Sequence, residues 1–131
     1  MNTPQTSQSP ASTRTPASCT FVDRAGTTWS LELTIAAVRR VKRLVGVDLL
    51  RITEPSGADN PEPLLTRLAT DPGLLVDVIY AVVLPQAEHA GVGDEAFADR
   101  LDGGAFDRAG AAFLEAISDF FRAQRKSHVV A

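Results

Sequence analysis

The chain has 131 residues, 13 Lys plus Arg against 16 Asp plus Glu, and a formal net charge of -3. That length suits one domain with a tail, and a domain of this size buries about two-thirds of its unfolded surface, enough for a core without staples. The single cysteine, Cys19, excludes an internal disulfide and a multi-cysteine zinc or iron–sulfur site, and His89 and His128 leave little for metal chemistry. The mild acidity argues against a surface built wholly for nucleic acid.

Of the first 18 residues, 14 are Pro, Thr, Ser, Gln or Asn, with no apolar run. Such a stretch cannot offset the entropy of ordering it, so 1–18 reads as a disordered tail with no signal peptide. Order is expected to begin at Cys19. Phe21, Trp29, Leu31 and Leu33 lie among β-branched residues around Asp23-Arg24-Ala25-Gly26, and Leu31 and Leu33 alternate with polar residues. This predicts a β-hairpin turning at Gly26, too small to stand without helices beneath it.

Thr34 is a candidate N-cap for a helix over 35–45 that ends at Gly46. On its wheel Val38, Val41, Leu44 and Val45 share one half, and Arg39, Arg40 and Arg43 the other. Glu54 to Pro61 reads as a loop, after which Pro61 or Pro63 opens a short helix through Leu64, Leu65 and Leu68. Asp71-Pro72 starts another, apolar on almost every side, which predicts a central core helix that Pro85 kinks or ends. Its apolar stretch is broken by Asp77, too short and too charged to cross a bilayer. Asp94 is expected to cap a short helix with Phe97 and Leu101. From Ala105 to about Arg125, the residues Phe106, Ala109, Phe113, Leu114, Ile117, Phe120 and Phe121 form an apolar arc expected to dock on the central helix, with 127–131 frayed. The expectation is a mainly α protein, a single domain over 19–126, in which a small N-terminal β-hairpin packs on a compact bundle of about four to five helices.

Candidate chemistry is sparse. Cys19 has no companion base motif, so a small buried residue is its plainer reading. Glu88-His89 and Asp94-Glu95 lack the i, i+3 or i+4 spacing of metal ligands on a helix. Gly91-Val92-Gly93 and Gly103-Gly104 sit between helices rather than in a βαβ unit, and read as turns. The chain is therefore expected not to be an enzyme, with no catalytic, cofactor or metal residues. The run Arg39-Arg40-Val41-Lys42-Arg43 is open to two readings. It is a solvated face that offsets the carboxylates, or a contact surface in which Arg39, Arg40, Lys42 and Arg43 meet phosphates or an acidic or amphipathic partner.

In order, Asp23-x-x-Gly26-x-x-Trp29-x-Leu31-x-Leu33-Thr34, the basic helix ending in Gly46-Val47-Asp48-Leu49, Asp71-Pro72, Val78-Ile79-Tyr80-Ala81, Glu95-Ala96-Phe97, Leu101-Asp102-Gly103 and Asp119-Phe120-Phe121 resemble the small tail assembly chaperones of long-tailed bacteriophages and prophages. The resemblance spans residues 20–125; the Ser/Thr/Pro tail departs from it. It implies a cytoplasmic adaptor in a bacterial host cell that binds the tape measure protein, with the tail tube protein as a second candidate partner and no membrane role. The alternative from another class is a small regulatory nucleic-acid-binding protein using helix 35–45, against which the acidic total and the lack of a clear helix-turn-helix weigh.

Overall fold

Phe21 and Trp29 face each other across an antiparallel pair of strands, β1 (Thr20–Val22) and β2 (Thr28–Ser30), and both are buried. The structure is a computed structural model that describes residues 19–57 and 60–130, so the tail expected over 1–18 lies outside the described residues. The period of two explains the burial: Thr20, Val22 and Thr28 point outward, while Leu31 carries the apolar side onward. Gly26 takes φ 87° in the turn, a conformation that a side chain would strain.

α1 (Ile35–Val45) starts where expected, with Thr34 Oγ1 accepting from Ala37 N at 3.1 Å, and stops at Gly46, φ 88°. Ala37, Val38 and Val41 form its buried face. Leu44, placed with them by the wheel, is instead 54% exposed, because it lies at the edge of an arc centred on Val38 and Val41. A 3₁₀ turn (Leu49–Arg51) follows, its first turn capped by Asp48.

The segment expected to be a loop contains a second antiparallel ribbon, β3 (Pro55–Gly57) with β4 (Asn60–Pro63), in irregular register. Arms of three and four residues are too short to show alternation in sequence.

α2 (Leu64–Thr70) buries Leu64 and Leu68. α3 (Pro72–Val82) begins with Asp71 Oδ1 accepting from Leu74 N at 3.2 Å, and buries Leu75, Val78, Ile79, Ala81 and Val82. It touches α1 and α2, and also α4 (Leu84–Ala90), α5 (Asp94–Asp99) and α6 (Gly104–Val130), so it is the central helix that its all-round apolar sequence predicts. Pro85 falls in the first turn of α4, directly after the break at Val83. The cap of α5 is Gly93 rather than Asp94; Asp94 is already helical, and its Oδ1 accepts from Glu95 N at 2.8 Å.

α6 extends past Arg125 to Val130, so residues 127–130 continue the helix where a frayed end was expected. Phe113, Ile117 and Phe120 are buried as their arc predicts, whereas Leu114 is 52% exposed. One residue on from Phe113 is a 100° rotation, which carries Leu114 off the buried arc. α6 approaches β1 more extensively than α3. Its crossing with α3 is close at Gly110, where an added Cβ would stand 3.7 Å from Leu75 Cδ2.

Two cross-links fix the hairpin to the helices. Trp29 meets Phe97 edge-on at 5.0 Å, and Phe97 meets Tyr80 at 5.3 Å, joining β2, α5 and α3. Gln86 on α4 donates from Nε2 to Ser30 O at 2.6 Å and accepts from Ser30 N at 3.0 Å, pairing with the strand as another strand would.

Candidate functional site

α1 carries no acidic residue, and its outward face presents Arg39, Lys42 and Arg43, all exposed. Arg40 belongs to the same run but not to the same surface. Its Nη1 donates to Ala81 O at 3.0 Å and Val82 O at 3.1 Å, two carbonyls at the end of α3. Those carbonyls have no partner within their helix and carry the negative end of its dipole, so a guanidinium there serves the fold. Of the four basic residues singled out in sequence, Arg39, Lys42 and Arg43 stand exposed, whereas Arg40 caps the end of α3.

A larger opening lies between the 3₁₀ turn, α2 and α6. It is a groove of about 900 Å³ whose apolar lining is Leu50, Ile52, Leu65, Leu114, Ile117 and Phe121. Thr53, Ser118, Arg122 and Gln124 complete the lining, so no carboxylate lines it among the described residues. Leu50, Leu65 and Leu114 are 47%, 37% and 52% exposed, three of the six exposed large apolar side chains among the described residues. Three exposed leucines on one concave surface mark a contact site more strongly than the same leucines scattered would. A second groove of about 450 Å³ runs along another side of α6 and includes Glu32 and Asp119.

No protein-family model, characterised protein or solved structure matches this chain.

The sequence reading passed over the larger groove, although a signal for it was present. Leu49-Leu50, Leu64-Leu65, Phe113-Leu114 and Phe120-Phe121 are adjacent apolar pairs on helical turns. Adjacent helical residues point about 100° apart, so a narrow core face seldom takes two large neighbours in full. In each pair the first member is buried and the second lines the groove.

The titratable groups inside the fold serve structure. Asp23 is buried, and its Oδ1 accepts from Ala25 N and Thr27 N, both at 2.9 Å. Burial pushes its carboxyl upward, but the bonds from Trp29, Thr27 and Ala25 and the charge of Arg100 outweigh that and leave it below the ordinary carboxylate value. The Cys19 thiol is buried and donates to Asp119 Oδ2 at 3.5 Å. Burial first, then Asp119 and Glu115, push it up to about 11, the reverse of the shift that activates a nucleophilic thiol. Tyr80 donates to Val92 O at 3.1 Å, and burial raises its phenol above the usual value.

Proposed function

We propose that the folded domain is a tail assembly chaperone-like adaptor that binds and solubilises the tape measure protein of a long-tailed phage or prophage in the cytoplasm of the bacterial host. The observation that carries this reading is the groove beside α6, where Leu50, Leu65, Leu114 and Phe121 leave apolar surface open to solvent. Long chains with apolar helical stretches aggregate unless those stretches are covered. A groove bounded by helices suits an amphipathic helix laid along it, with affinity from apolar anchors at i, i+3, i+4 and i+7. Such a contact is reversible, so tail tube subunits can displace the adaptor as the tube grows.

Co-expression tests this directly. The tape measure protein from the same gene cluster is expected in the soluble fraction only when this chain is present, and in a complex with it. Equal insolubility with and without the chain, and no complex, overturns the reading. The acid-free outer face of α1 supports the nucleic-acid alternative to a lesser degree. DNA binding that weakens steeply with added salt would favour that alternative, because phosphate contacts release counterions.

A further inference from the structure

We propose, resting on the adaptor reading, that the groove between α2, the 3₁₀ turn and α6 takes an amphipathic helix whose apolar stripe is flanked by acidic residues. The shape argues for a helix. The described lining comes from α2, α6 and the segment around the 3₁₀ turn, and none of its residues lies on a strand to which an extended peptide could add. The four second members of the apolar pairs project from three separate elements, as a row of anchors on a partner helix requires.

The charge of the partner follows from the lining. Among the described residues Arg122 is the one charged residue of the lining, and Arg51 stands exposed beside Leu50. Each now pairs within its own turn, Arg122 with Asp119 at 2.7 Å and Arg51 with Glu54 at 3.0 Å. The Arg51–Glu54 pair is exposed on both sides, and Arg122 is 66% exposed although Asp119 is only 25% exposed, so each guanidinium still faces water and can turn to a partner's carboxylate at little cost. The second groove, with Glu32 and Asp119, has the opposite bias. Of the two grooves, only the larger one favours an acidic flank.

The test uses the whole chain and two amidated peptides of about 20 residues, both with leucines spaced i, i+3, i+4, i+7, one flanked by glutamates and one by lysines. At low salt the glutamate peptide is expected to bind about tenfold more tightly than the lysine peptide, with the gap closing as salt is added. Leu65→Ser with Leu114→Ser is expected to abolish that binding while leaving the melting curve in place. Equal affinity for the two peptides, tighter binding of the lysine peptide, or no binding of either overturns the proposal. So does self-association of the free chain that the double variant abolishes, because a second copy would then occupy the groove. If the tape measure protein is solubilised but the glutamate peptide shows no preference, this inference fails while the adaptor reading stands. If the peptide preference is seen and the tape measure protein stays insoluble, the reverse holds.

Discussion

Trp29 donates from Nε1 to Asp23 Oδ2 at 2.8 Å, and both side chains are buried. Six residues apart in sequence, they close the hairpin turn from within, while Arg100 brings its Nη1 to 3.5 Å from the same oxygen. The Asp23-x-x-Gly26-x-x-Trp29 pattern that opens the phage resemblance is thus a structural device: acceptor, left-handed turn residue and indole donor in one hairpin. Asp23→Ala removes the acceptor of three N–H groups. Each buried donor left unsatisfied costs about 1–3 kcal/mol, so a urea titration is expected to show an unfolding free energy lower by more than one such increment.

The same carboxyl gives stability an acid limb. Its folded value lies below the unfolded one, because the bonds from Trp29, Thr27 and Ala25 and the charge of Arg100 outweigh burial. A depressed carboxyl contributes stability that is fully present above about pH 3.9 and is lost as pH falls towards the folded value. Asp23→Asn cannot ionise. Unfolding free energy measured from pH 6 down to pH 3 is expected to fall less steeply in that variant than in the parent chain.

Phe113 is 1% exposed, on the face of α6 turned to the core. Truncating a phenylalanine in such a place costs about 3–5 kcal/mol, a large share of the stability of an ordinary domain. Phe113→Ala is expected to lower the thermal midpoint sharply. Leu114→Ala, one residue on and half-exposed, is expected to leave it nearly unchanged.

That contrast marks how far the sequence could be read. Periodicity placed α1 and α6, the Asp71-Pro72 start and an apolar run on almost every side placed α3, and the caps Thr34 and Asp71 and the stop Gly46 fall where their chemistry demands. The wheel failed at Leu44 and Leu114 because it gives an angle but not the width of the buried arc, which neighbouring elements set. Arg40 was hidden for a related reason: its partners, the carbonyls of Ala81 and Val82, lie 41 and 42 residues away and belong to the end of another helix. The β3–β4 ribbon lacked any periodic signal. The groove was half legible, since the doubled apolar residues stand in the sequence but only packing shows that their second members converge.

Cys19 is expected to resist modification. Burial, then Asp119 and Glu115, hold its thiol protonated up to about pH 11, and only the thiolate reacts readily. At pH 8 an aromatic disulfide reagent is expected to label the native chain far more slowly than the urea-unfolded chain. The raised value also has a stability consequence. Its contribution is present below the ordinary thiol value and is lost as pH rises towards about 11, so Cys19→Ala is expected to soften the alkaline limb.

The basic run of α1 separates into two behaviours that one set of variants resolves. Arg40 caps the end of α3, so Arg40→Ala is expected to lower stability by up to about 2 kcal/mol, the range for a cation at a partly buried helix C-terminus. Arg39 and Arg43 are exposed, and reversing both to Glu is expected to leave the melting curve in place. Their effect belongs to encounter with a partner. Charges at the rim of a contact change the association rate and its salt dependence more than the lifetime of the complex. With an acidic partner, the doubly reversed chain is expected to associate more slowly at low salt, with a flatter response to added salt and an almost unchanged dissociation rate. Stopped-flow association at several ionic strengths measures all three quantities. An equal loss of stability for Arg40→Ala and the double reversal would show that the run does not separate in this way, and an association rate that ignores the double reversal would show that this face has no part in partner encounter.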